Sequence, residues 1–378
     1  MKLVILHSIL PAYRKDFFES LNKQLKKSDI DLTVIHGTSF FNKAITADTN
    51  PEYSAVPLET KEYKFLGYRI VWWKGLFRSI KQIRPDMLII LFSPGNLTFW
   101  FAQMYAYLNK IKIGLWSNGS VRKEITGTKR KIRSIFLNFF LKRADVHICY
   151  GSRYEKELLD MGIDRGKIFV AQNTINVEKI MAYCGDKICG SSNGSINFLT
   201  VGALIKNKNL DLAIKAISRL NKEGHNVHFN IIGKGSIMED LRSQVRNENM
   251  ENNIFVLGYK SDDEIPSYFL DSDVFILPGT GGLSINEAMA YGLPVLSTVA
   301  DGTIVDLLFE GKNGYYLNEK TTEENIYEVC KRVIEKGKHE LSEMGIMSRK
   351  IITEKATLSN MVLNFKKAVL SCIGFSGI

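Results

Sequence analysis

No apolar run in this chain is long enough to cross a bilayer as a helix. The nearest approach, residues 87–107, is interrupted by "SPGN" and reads as strand, turn and helix instead. Cysteine is sparse. Cys149, Cys184, Cys189, Cys330 and Cys372 are scattered, and no second cysteine or histidine pair stands at zinc-ligand spacing from Cys184 and Cys189, so free thiols are expected. The opening "MKLVILHS" reaches His7 and Ser8 too soon for a secretory signal, which points to a reducing, cytoplasmic setting. The loop after that first strand, "ILPAYRKDFF", lacks the G-x-G-x-x-G of a dinucleotide fold and argues against a dehydrogenase. Acid is in deficit: 50 Lys and Arg against 40 Asp and Glu leave a net charge of +10. That excess calls for an anionic partner, namely nucleic acid, a membrane surface or a phosphorylated substrate.

What is present is a rhythm. Of 378 residues, 45% are hydrophobic and 24% charged, as in an ordinary folded chain with room for two domains. In the first half the strand-like runs are "KLVILHS", "DLTVIHG", "DMLIILF", "KIGLWS", "DVHICYG" and "KIFVAQN"; in the second they are "INFLTVG", "VHFNIIG", "NIFVLG", "DVFILP", "PVLST" and "GYYL". Stretches of helical spacing, such as Phe17, Phe18, Leu21 and Leu25, separate many of them. Strands apolar on both faces and divided by helices indicate parallel sheets covered on both sides, an α/β class of two doubly wound domains. The expected division is 1–173, a Gly-, Ser- and Asn-rich linker at 174–194, a second domain at 195–356, and a last helix and tail at 357–378 whose docking is open.

Within the second half, "LPGTGGLSINEAMAYGLPVL" runs from a strand through glycines into a helix. Glycines there let backbone N–H groups approach a ligand, and a helix N-terminus favours negative charge, so "PGTGGLS" is a candidate phosphate seat. Glu287 would then accept hydrogen bonds from the paired hydroxyls of a ribose. Ser284 and Glu287 also have the S-x-x-E spacing of a capping box, so Glu287 has a purely structural alternative.

The whole stretch resembles the signature of the retaining glycosyltransferases of family 4, roughly E-G-F-G-L, three residues, then E-A-M-A-x-G-x-P-V. "FLTVGALIKNKNLDLAIKA", "FNIIGKGSIMEDL", "NIFVLGYKSDDEIPSYFLDSDVFILPG" and "ADVHICYGSRYEKELLDMGIDRGKIFVAQNTIN" follow the same family's pattern in order. The resemblance implies the GT-B fold, two Rossmann-like domains facing across a cleft, and transfer of a sugar from a nucleotide diphosphate donor with retention of configuration and without a metal or other cofactor.

Carried over position by position, the resemblance makes Lys208, in the loop that begins at Gly202, the clamp on the donor diphosphate. The family's arginine position is Ala203, with Lys206 as a substitute cation. Glu287 matches the glutamate that holds the ribose. Gly281, Gly282, Leu283 and Ser284 match backbone positions facing phosphate and sugar. Gly279 stands where the family has a glutamate on the donor sugar's hydroxyls, which leaves the donor sugar open. Gly258 and Tyr259 fall in the base-binding loop. On the acceptor side, Asn118 in "GLWSNGSVRKE" takes the place of a histidine in many relatives and is the candidate catalytic hydrogen-bond donor, or a plain Asn-Gly turn. Arg14 is a candidate for acceptor or phosphate contact, or a surface charge at a helix start.

The stretch 127–143, "GTKRKIRSIFLNFFLKR", has six basic residues and no acid, with Ile132, Ile135, Phe136, Phe139 and Phe140 on one helical face. It reads as a surface for anionic membrane, or as a helix packed on the first sheet with its basic face solvated. Trp72, Trp73, Leu76 and Phe77 form a second stretch of the same ambiguity. No recognisable module for nucleic acid interleaves these residues. The resulting expectation is a peripheral enzyme at the cytoplasmic membrane face that extends a saccharide or lipid-linked acceptor in cell-surface polysaccharide or glycolipid synthesis. Alternatives on the same fold are a catalytically silent sugar-nucleotide binder and a sugar-nucleotide epimerase.

Overall fold

A computed structural model describes residues 1–38, 51–65, 68–92, 96–119, 137–185, 189–191, 194–299 and 301–372. The chain divides into two units: residues 1–173 together with the C-terminal segment from Ser359, and Thr174–Leu358.

The first unit is built on a seven-stranded parallel sheet. Its strands are β1 (Lys2–His7), β2 (Asp31–Gly37), β3 (Ser54–Leu58), β6 (Met87–Leu91), β7 (Lys112–Ser117), β8 (Val146–Cys149) and β9 (Ile168–Val170). They run in the order β3-β2-β1-β6-β7-β8-β9. Apolar residues that alternate onto both faces of β1 and β6 are fully buried, because helices cover the sheet on either side. An antiparallel hairpin of β4 (Thr60–Phe65) and β5 (Tyr68–Trp73) stands apart from this sheet. The hairpin and β3 were not anticipated. β3 carries Pro57 and lies at a sheet edge, where a missing N–H is tolerated, so its composition hides it.

The second unit has a six-stranded parallel sheet of β10 (Ile196–Val201), β11 (Val227–Ile232), β12 (Ile254–Gly258), β13 (Val274–Leu277), β14 (Val295–Ser297) and β15 (Gly314–Tyr316). The order is β12-β11-β10-β13-β14-β15, so the winding reverses between β10 and β13. Such a reversal leaves a crevice at the carboxyl ends of the two strands, with the loop after each on one side of it. Those loops are residues 202–209 and 278–282.

The segment 174–194, expected as a linker, holds a helix, Val177–Cys184, within the second unit. The Asn176 side chain caps it by accepting from the Lys179 N–H at 3.1 Å, and Val177 and Cys184 are buried in that unit's core. The spacing of Val177, Ile180, Met181 and Cys184 is a helical stripe that the surrounding polar composition obscures. At the amino edge of the sheet, Asp273 accepts from the Ser191 and Asn197 N–H groups at 3.0 and 2.8 Å, which fastens the end of this segment to the strands.

The last helix, Leu358–Cys372, docks on the first unit. Phe365 is fully buried, edge-on to Phe17 and Trp116 with ring centroids 5.4 and 5.2 Å apart. Truncating this ring removes a large buried apolar surface and leaves a cavity that a packed aromatic cluster cannot close. Phe365→Ala is expected to cost about 3–5 kcal/mol, read as a lower urea midpoint for the first unit's unfolding transition.

Candidate functional site

Backbone packing at the carboxyl end of the second sheet comes first. Gly202, Gly233 and Gly258 end β10, β11 and β12. The Gly202 N–H donates to Ile232 O at 3.0 Å and the Gly233 N–H to Gly258 O at 2.8 Å. Leu204 N–H then donates to Lys234 O at 3.0 Å, so the loops after β10 and β11 lie side by side. A Cβ on Gly233 would stand 2.9 Å from the Gly202 carbonyl carbon, at a φ of +145° that side chains rarely adopt.

Across the crevice the loops after β10 and β13 are stitched in the same way. Lys206–Lys208 forms a single 3-10 turn that ends at Asn209, whose φ is 54°. Asn209 Nδ2 donates to Pro278 O at 3.1 Å, and the Thr280 N–H donates to Asn207 O at 3.0 Å. From the other side Thr298 Oγ1, just after β14, donates to Gly279 O at 3.2 Å. Gly279 is therefore wedged: a Cβ there would lie 2.5 Å from Lys208 Cα and 2.6 Å from its carbonyl carbon. A side chain at 279 would meet the backbone of Lys208.

This stitching aims Lys208. Its Nζ donates to Thr280 O and occupies the place a Cβ on Gly281 would take. Burial lowers the lysine's pKa from its ordinary value, and the carboxylate of Asp301 opposes the shift. Asp301, in the loop after β14, faces the same glycines: a Cβ on Gly282 would stand 2.7 Å from its Cγ. Thr303 donates to Asp301 Oδ1 from its N–H at 3.0 Å and its hydroxyl at 2.6 Å. Burial nonetheless raises the Asp301 carboxyl above its usual range, against those bonds and the pull of Lys208.

The helix Leu283–Tyr291 starts at this point, with Gly282 as its cap and no side-chain capping bond. Ser284 and Glu287 therefore do not form the capping box their spacing allows: Ser284 is already inside the helix, and Glu287 is its fifth residue. Gly281, Gly282, Leu283, Ser284 and Glu287 each keep part of their surface exposed. Burial of the Glu287 carboxyl, with the nearby charge of Asp262, raises its pKa to about 7. Ala203 is half-buried and Lys206 exposed. Tyr259, after Gly258, is 59% exposed, with Lys234 Nζ 4.9 Å from its ring centre.

The second unit thus gathers Lys208, Gly279, Gly281, Gly282, Leu283 and Ser284 around one helix start, with Glu287 farther along that helix and Gly202 at the neighbouring strand end. Asp301, Thr303 and Gly233 were missed. Asp301 follows a strand end in "STVADGT", a position at which ligand-facing residues collect, but its sequence distance from Gly282 concealed their meeting.

The first unit's candidates behave differently. Arg14 is not a surface charge: it is 2% exposed. Its guanidinium lies 5.2 Å from the ring centre of Trp116, 5.4 Å from Tyr13 and 5.7 Å from Tyr150. It donates to Asn173 Oδ1 and approaches Met361 Sδ at 3.9 Å. Aromatic faces suit a delocalised cation that has left water. Burial, followed by the charge of Arg14, lowers the pKa of neighbouring His7 to about 3. Asn118 is partly exposed at the carboxyl end of β7, beside Gly119, whose φ is +78°.

Of the basic stretch 127–143, residues 127–136 lie outside the described residues. Of the apolar stripe only Phe139 and Phe140 are described: Phe140 is buried, as are Leu137 and Leu141 beside it. Phe139 is 40% exposed, under the Arg143 guanidinium at 3.5 Å from its ring centre. Trp73 and Leu76 belong to the core, whereas Trp72 and Phe77 keep exposed surface and Trp72 stacks edge-on to the exposed Phe101.

Two doubly wound units, one with a glycine-lined helix start and a lysine aimed at it, define the class: the fold is GT-B, with two Rossmann-like domains. Residues 187–350 match the family described as glycosyl transferases group 1. The amylovoran biosynthesis glycosyltransferase AmsK of Erwinia amylovora is 28% identical over 175 residues, 44% of this chain and 42% of its own. The alpha-monoglucosyldiacylglycerol synthase of Streptococcus pneumoniae is 23% identical over 339 residues, 79% of this chain and 76% of its own. Among solved structures, Anabaena HepE in complex with UDP-glucose superposes with a TM-score of 0.68 at 13% identity, covering 98% of this chain and 100% of that one. Matches to AmsK and to others of the more similar curated relatives span 42% to 68% of their length.

The raised Glu287 carboxyl has a measurable consequence. A carboxyl that protonates more readily folded than unfolded stabilises the protein fully below its ordinary value of 4.5, and that contribution is lost as pH rises through about 7. Glu287→Gln, neutral throughout, should therefore be more stable than the parent at pH 8, by roughly 1–3 kcal/mol. The difference should shrink as pH falls from 7 to 4.5. Urea unfolding of both proteins across that range checks it.

Proposed function

We propose that the protein is a retaining glycosyltransferase that takes a sugar from a nucleotide diphosphate donor and needs no metal. Its acceptor is a saccharide or lipid-linked saccharide in cell-surface polysaccharide or glycolipid synthesis. The observation that carries this reading is the position of Lys208 Nζ over the glycines that open the helix Leu283–Tyr291. When the glycosidic bond to a diphosphate breaks, negative charge grows on the leaving oxygens. A partly desolvated ammonium and free N–H groups at a helix start oppose that charge without reorganising. Glu287 is assigned to the ribose hydroxyls, which donate to its carboxylate.

UDP-glucose in the structurally similar HepE makes uridine the first base to try. A lipid-linked acceptor draws support from the likeness to an alpha-monoglucosyldiacylglycerol synthase and from exposed aromatics of the first unit, Phe101 together with Tyr107 and Phe139 beside Arg143. Among the described residues no helix is long and apolar enough to cross a membrane, and association at the cytoplasmic face through these residues and 127–143 is part of the proposal. Asn118 and Arg14 are proposed on the acceptor side, Asn118 as a hydrogen-bond donor at the carboxyl end of β7 and Arg14 through the aromatic box that holds it.

Thermal-shift titration with UDP, GDP, dTDP and their sugars tests the donor. Saturation at about 100 times the dissociation constant should stabilise the protein by roughly 2.7 kcal/mol. A flat response across the panel, with and without anionic vesicles, would overturn the reading. In Lys208→Ala, loss of a charge-assisted contact to the diphosphate should weaken UDP about tenfold or more.

A further inference from the structure

The donor-site reading leaves one position unexplained. At 279, where the family resemblance implies a carboxylate on the donor sugar, this chain has glycine, and the backbone of Lys208 fills the space a side chain would need. A carboxylate nevertheless reaches the same glycine loop from a different strand end. Asp301 comes from the loop after β14 and points its side chain at Gly282, the residue that caps the helix Leu283–Tyr291.

We infer that Asp301 is the residue that reads the donor sugar, its carboxylate taking hydrogen bonds from sugar hydroxyls in place of a side chain that position 279 cannot carry. Three observations support the assignment. Both Thr303 bonds fall on Oδ1, which fixes the carboxylate's orientation, while Oδ2 is turned to Gly282. Gly282 is adjacent to Gly281, over which Lys208 Nζ sits, so the carboxylate and the diphosphate-binding cation border one small region. Thr298, three residues before Asp301, donates to Gly279 O, so the loop that brings the new carboxylate is tied to the glycine whose missing side chain it replaces.

The chemistry also discriminates between parts of the donor. A carboxylate only accepts hydrogen bonds, and a sugar's hydroxyls donate them. A diphosphate offers no donor and repels a carboxylate. Asp301 should therefore favour a nucleotide sugar over the bare nucleotide, and distinguish sugars by the placement of their hydroxyls.

The assignment rests on the donor-site reading, and the experiment separates the two. Dissociation constants of UDP, UDP-glucose, UDP-galactose and UDP-N-acetylglucosamine are measured calorimetrically for the full-length parent, Asp301→Asn and Asp301→Ala. Asparagine keeps an acceptor for Thr303 and serves as the folded control. The expected result is an affinity for the preferred UDP-sugar reduced about tenfold in both variants, with UDP bound as well as before or more tightly. Equal changes for UDP and UDP-sugar would overturn the assignment while leaving the donor site standing. A parent protein that binds none of these, nor GDP- or dTDP-sugars, would overturn the donor site and the assignment with it.

Discussion

Close approach of backbone to backbone at the carboxyl end of the second sheet is the constraint on which the site depends. The loops after β10, β11, β13 and β14 pack without intervening side chains at Gly202, Gly233 and Gly279, and are joined by Leu204 N–H to Lys234 O, Thr280 N–H to Asn207 O, and Thr298 Oγ1 to Gly279 O. A Cβ at Gly233 or Gly279 would push these loops apart. Their packing holds the turn Lys206–Lys208 over the helix start, so that a flexible lysine is delivered to one place instead of sampling solvent.

That delivery comes at an electrostatic cost visible in three groups. Lys208 is shifted down, while Asp301 and Glu287 are shifted up, and in each case burial is the first cause. Charges partly removed from water interact more strongly with whatever enters beside them, and perturbed groups of this kind gather at functional sites more often than elsewhere. The three are also arranged by role. The ammonium stands at the helix start, one carboxylate faces the same glycines, and the other lies farther along the helix.

The first unit handles its buried cation by a different route. Arg14 sits among Tyr13, Phe17, Trp116 and Tyr150, with Asn173 and Met361 as its polar and sulfur neighbours. Trp116 also packs on Phe365 of the last helix, so the arginine's aromatic box and the docking of the C-terminal segment share a residue. Stability and the placing of Arg14 are coupled there, whereas in the second unit the turn that carries Lys208 is held by loop backbone.

Much of this was legible in the chain. Each run of apolar residues read as a core strand is one, and the two parallel sheets follow from strands apolar on both faces, because burial from two sides leaves a continuous apolar run that neighbouring residues alone express. The glycine-to-helix turn at 278–283 was equally local. β3 was hidden by Pro57, the hairpin β4–β5 by the charged residues in its sequence, and the helix Val177–Cys184 by polar surroundings. What no local pattern carried was proximity across the sheet. Strand order decides that Asp301 meets Gly282 and that Lys208 leaves no room for a side chain at 279, and the docking of the last helix decides that Phe365 closes on Trp116. The sequence by itself determined which segments become strands and where a helix start is stripped of side chains. Only the tertiary structure decided which charges face that start, because those distances are set by how strands are ordered and not by how residues are spaced.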